Sequence, residues 1–154
     1  MDGTSRRRFL QAAALGVAGA GLGLRAQEPG VRPIQPEGVA APSSPYSPVF
    51  VSGDLVYTAG QIGTDASGEI VAGGMEEQAR QALANLGRCL EAAGCGFGDV
   101  IKVTSYLTNM DDFAAYNAIY REHFSEPFPA RTTIGVILAP GLLFEIEAVA
   151  RRPV

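Results

Sequence analysis

The sequence predicts an α+β domain in which two helices cover one face of a single mixed sheet. Three observations predict it. Apolar residues recur at helical spacing over residues 74–93, and a second stripe of Phe113, Tyr120 and Phe124 follows the same period. The stretches before, between and after them alternate with a period of two. The resulting order is strands, helix, strand, helix, two strands.

Residues 1–26 stand apart from that domain. Ser5, Arg6, Arg7, Phe9 and Leu10 spell a twin-arginine export signal, followed by an Ala/Gly/Leu run and by Ala26 as the cleavage point. The apolar run at residues 9–24 is glycine-rich and shorter than the roughly 20 residues of a membrane-spanning helix. A periplasmic protein is expected, with an uncleaved N-terminal membrane anchor as the lesser alternative. Residues 27–44 form a Pro/Ser-rich lead-in, and residues 45–154 form the domain.

Within the domain, "VFVSGDLVYTAGQI" (residues 49–62) reads as two strands joined at Ser52, Gly53 and Asp54, and "GEIV" (68–71) as a short third. The first helix begins near Gly74, carries Glu76 and Glu77 in its first turn, and stops at Gly94. A left-handed Gly94 would fold Cys95 back against Leu90 and Cys89. The two cysteines are then either buried thiols acting as small hydrophobes or a disulfide closed across a short, strained loop. "DVIKVTSYLTN" (99–109) is rich in β-branched residues and alternates, as a central strand does. Asn109 or Asp111 caps the second helix, on which Asn117 shares the aromatic stripe. A buried asparagine needs a partner for its amide, so Asn117 either braces a loop or faces a cavity. His123, the only histidine, sits at the helix end, where contact with the helix dipole accounts for it.

"FPARTTIGVILAPGLLFEIEAVA" (128–150) closes the domain and reads as a β-hairpin turning at Ala139, Pro140 and Gly141. Alternation assigns Ile134, Val136, Leu138, Phe144, Ile146, Ala148 and Ala150 to the core face. Arg131, Thr133, Glu145 and Glu147 then share the opposite face. Glu147 is the nearer cross-strand partner for Arg131, an ion pair of about 0.2–1 kcal/mol, and Glu145 is left without a cation. Lys102, Thr104, Tyr106, Leu143 and Val149 fall on the same side, too apolar for open solvent. Self-association would cover it and leave clefts with Arg131 and Glu145 at their mouths.

Composition narrows the function. The 154 residues, 47% hydrophobic and 8% aromatic, suit one globular domain. Cleavage after Ala26 removes four arginines and one aspartate from 12 basic and 16 acidic residues, leaving 8 and 15 and a formal charge of −7. Nucleic acid is disfavoured, because Lys102 is the one lysine and Arg151 and Arg152 the one basic pair remaining. There is no glycine-rich phosphate loop, no GxSxG elbow and no metal-ligand spacing around the cysteines or the histidine.

"YTAGQI" (57–62), "EEQARQALANL" (76–86), "DFAAYNAIYREHF" (112–124), "FPAR" (128–131) and "EIEAVA" (145–150) together resemble the Rid family, the reactive intermediate (enamine/imine) deaminases. The likeness spans residues 45–151, with the motifs in the family's order. It implies a chorismate-mutase-like homotrimer with sites in clefts between subunits. It also implies hydrolysis of 2-aminoacrylate-type imines to 2-oxo acids and ammonia, with no metal or organic cofactor. By position, Arg131 matches the carboxylate-binding arginine and Glu145 the water-activating glutamate, while Tyr46, Gly60 and Asn117 match pocket residues. Thr133 would donate to the substrate carboxylate, and Tyr46 would close the site from the neighbouring subunit. Glu147 is read as structural.

Four departures put the substrate range in question: Thr133 where relatives carry cysteine or a small residue, Pro48 for glutamine, Ala59 for serine, and a turn "LAPGLL" without the usual lysine. Export does so further, since the family's enamines arise from cytoplasmic pyridoxal-phosphate enzymes. The alternative from another class is a non-catalytic trimeric binding protein for small carboxylates. Ribonuclease activity, assigned to some relatives, fits the acidic surface poorly.

Overall fold

The computed structural model describes residues 30–153, so the expected export signal at residues 1–26 lies outside the described residues. Strands β1 (Val31–Ile34), β2 (Val49–Ser52), β3 (Leu55–Thr58), β4 (Gln61–Ile62), β5 (Val100–Leu107), β6 (Ala130–Gly135) and β7 (Phe144–Arg151) form one sheet. Its order is β1-β2-β3-β7-β5-β6, with β4 pairing with β7 beyond the end of β3. β5 and β6 run parallel while the other pairs are antiparallel, so the sheet is mixed.

Helices α1 (Met75–Ala92) and α2 (Phe113–His123) pack on one face, as expected. In α1, Ala79, Leu83, Leu86 and Leu90 recur at helical spacing and are fully buried against Val49, Val56, Val103, Phe144 and Ile146 of the sheet. Glu77 accepts from the Gly74 N–H at 2.8 Å at the start of α1. At its end Gly94 has φ +77°, its N–H bonds Glu91 O, and the Cys95 N–H bonds Leu90 O, both at 2.9 Å. This is the fold-back anticipated at Gly94. Both cysteines are free and buried, and burial pushes the Cys89 thiol up to about 12. They behave as small hydrophobes. Asn109 caps the 3-10 turn Met110–Asp112, accepting from the Asp111 N–H at 3.0 Å, and α2 follows directly.

Residues 128–150 do not form a hairpin. The turn is real: Gly141 has φ +87° and the Leu142 N–H bonds Ala139 O at 3.0 Å. It joins strands that are not neighbours, because β5 lies between β6 and β7. β6 follows β5 through α2, and a helical crossover delivers the next strand parallel, on the far side of β5. β7 then returns to the near side.

This insertion changes the faces. Val103 of β5 pairs with Arg131 on one side and Ala148 on the other, so Arg131 lies on the helix-covered face. Tyr106 pairs with Ile134 and Glu145, and Thr104 with Thr132 and Glu147, so both glutamates occupy the open face. The expectation that Arg131, Thr133 and the glutamates share a side is therefore overturned. Ile134, assigned above to the core, is 40% exposed on the open face. Val136 and Leu138 lie beyond β6 and are half-buried. Leu143 packs against the core instead of the open face, its N–H held at 2.9 Å by the buried Gln78 amide.

Lys102, Thr104, Tyr106 and Val149 do stand on the open face, alongside exposed Phe50 and Tyr57. "GEIV" contributes one bridge, Thr64 to Ile70, and no strand. β1 was not anticipated within the lead-in; Pro33 is tolerated there because β1 is an edge. His123 stands in the last turn of α2, as expected, and is partly buried with its ring 5.2 Å from Phe97; burial lowers its pKa. Among the described residues no helix is long and apolar enough to cross a membrane.

Candidate active site

The site residues fall into two groups on opposite faces of the chain. The first is built around Arg131, at the start of edge strand β6. Its Nη2 donates to Asn117 Oδ1 at 2.7 Å. Its guanidinium carbon lies 4.6 Å from the Tyr120 ring centroid, 5.2 Å from Tyr116 and 5.7 Å from Phe113. Residues 113, 116, 117 and 120 recur at three- and four-residue steps, so one face of α2 presents three rings and an amide to β6. The rings supply cation–π contact and the amide fixes the orientation. Of the two alternatives for Asn117, the cavity is the one found: Asn117 lines it, and its amide holds Arg131 of β6 and not a loop.

That cavity, about 190 Å³, is walled by Asn117, Tyr120, Arg121, Phe128, Pro129 and Arg131. Among the described residues no carboxylate pairs with Arg131; the ion pairs are Arg80–Glu122 and Arg151–Asp54. Burial pushes the Tyr120 phenol up to about 12, so it is a neutral hydroxyl at physiological pH. Tyr116 is held by the buried Ser105 hydroxyl. Thr133 pairs with Ser105 two residues beyond Arg131, on the same face.

The second group is built around Glu145, half-buried on the open face of β7 opposite Tyr106 and Ile62. Burial, and secondarily the negative charge of Glu147, raises its pKa. Glu145 rests against Gly60, where a side chain would displace it. Gly60 and Tyr46 line a cavity of about 140 Å³ together with Pro48, Gln61 and Asn85. Tyr106 donates to Glu147 Oε1 at 3.2 Å. Glu147 is thus paired with a phenol and not, as its register in a hairpin would have it, with Arg131.

A single chain does not unite the two groups. Arg131 is level with Ala148, and Glu145 lies three residues further along β7, two strands away. Strand spacing and rise put their Cα atoms roughly 14 Å apart, with side chains on opposite faces. Sequence reasoning placed Tyr106 beside the glutamates but missed Tyr116 and Arg121 as neighbours of Arg131. The helical spacing from Phe113 and Asn117 is the signal that could have found Tyr116 and Arg121. Among the described residues no three His, Cys, Asp or Glu side chains converge as metal ligands would.

Residues 38–152 match the sequence profile of a family described as Endoribonuclease L-PSP. A RutC family protein of Pyrococcus horikoshii is 47% identical over 118 residues, 75% of this chain and 94% of the relative. The human protein named 2-iminobutanoate/2-iminopropanoate deaminase is 46% identical over 108 residues, 69% of this chain and 79% of its own. The crystal structure of E. coli TdcF with bound serine superposes with a TM-score of 0.72 at 34% identity, covering 79% of this chain and 99% of that one.

Proposed function

The chain belongs to the Rid/L-PSP family, and from that premise we propose that it hydrolyses reactive 2-imino acids to 2-oxo acids and ammonia, at sites between the subunits of a homotrimer. One observation carries the reading. Arg131 is oriented by an amide and three aromatic rings but has no carboxylate partner among the described residues, the state of a guanidinium awaiting one. Its planar fork takes a carboxylate through two parallel hydrogen bonds, which fixes the adjacent C=N carbon. Thr133 adds a donor to that carboxylate. Glu145 of the neighbouring subunit supplies the acid–base group, and Tyr46 closes the cleft.

Water oxygen bonds to the iminium carbon, the C=N π pair moves onto nitrogen, and Glu145 takes a proton from that water. The proton then passes to the amine nitrogen. The C–N bond breaks with its electron pair leaving on ammonia, and the hydroxyl closes to the 2-oxo carbonyl as its proton is released. A carboxyl whose pKa is raised by burial suits both transfers, since it accepts a proton readily and still returns it.

A second reading, binding of small carboxylates without turnover, uses Arg131 alone and draws on the serine bound in the E. coli TdcF crystal. RNA cleavage, despite the family's description, sits poorly with 8 basic against 15 acidic residues after residue 26. The test is the rate at which freshly generated 2-iminobutanoate disappears with the purified protein. Acceleration supports the deaminase. An unchanged rate with tight binding of 2-oxobutanoate leaves the binding protein, and salt-dependent RNA binding would reopen the third reading.

A further inference from the structure

A second arginine, the exposed Arg121, also lines the Arg131 cavity. Arg121 lies four residues after Asn117 on α2, so both face the same wall, and its guanidinium carbon sits 5.4 Å from the Phe128 ring centroid. No lining residue is acidic. Of the acids closest in sequence, Glu122 is taken by Arg80, and Glu126 lines a different cavity with His123. On a chain of net charge −4, two arginines therefore line one small cavity that has no acidic residue in its wall. The same cavity is lined by Tyr120, which is 4% exposed and whose hydroxyl has no hydrogen-bond partner among the described residues.

A ligand with one carboxylate satisfies Arg131 and leaves Arg121 and the Tyr120 hydroxyl unused. Resting on the deaminase reading above, we propose that the cavity selects doubly anionic substrates, the 2-imino acids of acidic amino acids. Arg131 takes the carboxylate beside the C=N carbon, and Arg121 the distal one. The tilted rings of Tyr120 and Phe128, 6.4 Å apart, wall the methylene spacer between them. The Tyr120 hydroxyl, neutral at physiological pH, donates to whichever carboxylate oxygen reaches it. Each ring also backs one guanidinium, so little ordering is needed when the anion arrives.

The test compares iminosuccinate and 2-iminoglutarate with 2-iminobutanoate, each generated in place by an amino-acid oxidase. In parallel, oxaloacetate, 2-oxoglutarate and 2-oxobutanoate are titrated calorimetrically into the intact protein. The expected result is a kcat/KM at least about tenfold higher for one of the dianions, with the matching 2-oxo acid binding about tenfold more tightly, the scale of one charge-assisted hydrogen bond. Arg121→Gln should bring both ratios close to 1. Arg32→Gln, which removes the same charge on β1, should leave them in place and so separates a local contact from net charge. Ratios near 1 in the wild-type protein, or ratios untouched by Arg121→Gln, overturn the proposal. If no imine is turned over, the deaminase reading falls, and the titrations alone decide for or against the second anionic subsite.

Discussion

The carboxyl of Glu145 occupies the space that a side chain at Gly60 would need: a Cβ built on Gly60 falls 2.6 Å from Glu145 Cδ and nearer still to Oε1. The glycine is required by this close approach and not by its own backbone, since its φ is not among the positive ones. Gly60→Ala should therefore fold normally while pushing Glu145 out of place. Displacement of a catalytic group by about 1 Å costs on the order of 100-fold. The expected outcome is that loss in kcat with an unchanged circular dichroism spectrum. Full turnover by a folded Gly60→Ala would detach Glu145 from the chemistry.

Glu145 also makes stability depend on pH in a sense opposite to most carboxylates. Its pKa is raised, by burial first and Glu147 second, above the ordinary 4.5. The folded state thus holds the proton more tightly than the unfolded chain. Its contribution is fully present below about pH 4.5 and is lost as pH rises through the raised value. Glu145→Gln, which cannot ionise, should melt at a higher temperature than wild type at pH 7 to 8, with the difference shrinking to nothing below about pH 4.5. A difference that grows on acidification would mean that the carboxylate, not the acid, is favoured in the fold.

Local rules were legible in the sequence wherever one element decided its own form. Helical period, the acidic first turn and Gly94 fixed α1 and its ending, and Gly53 turned β2 into β3. What alternation could not supply was strand order. A turn at Pro140 and Gly141 looks the same whether the strands it joins are neighbours or are separated by β5, and only the β5–α2–β6 crossover decides. That one ambiguity moved Arg131 to the other face. Among the candidates, Asn117 was legible from its helical stripe, Arg131 and Glu145 were singled out first by the sheet-face argument that strand order overturned, and Gly60 came from motif likeness alone, which does not pass through topology. β1 was hidden by Pro33, which ordinarily argues against a strand.

The signal read in residues 1–26 is tested in the cell. Arg6→Lys with Arg7→Lys keeps the charge but removes the twin-arginine pair, so the protein should remain in the cytoplasmic fraction of an expressing bacterium while wild type reaches the periplasm. Equal periplasmic yield from both would discard the assignment.

The division of the site between two faces leads to a test that a site contained in one chain would fail. If each site takes Arg131 from one protomer and Glu145 from the next, then Arg131→Ala and Glu145→Gln each disable all three sites of a trimer. Arg131→Ala should lower kcat/KM by about 100-fold or more, because each charge-assisted hydrogen bond contributes about 1.5–3 kcal/mol. Glu145→Gln should lower kcat by about 100- to 10,000-fold, the span of general acid–base catalysis. When the two variants are unfolded together in equal amounts and refolded, a site that draws its arginine from a Glu145→Gln protomer and its glutamate from an Arg131→Ala protomer is intact. Random assembly makes about one site in four of that kind. Activity should therefore recover to about a quarter of wild type, far above either parent, with light scattering reporting a trimer throughout. No recovery in a mixture shown by mass to contain hybrid trimers would place both residues' roles within one chain, and the edge position of Arg131 on β6 would need another explanation.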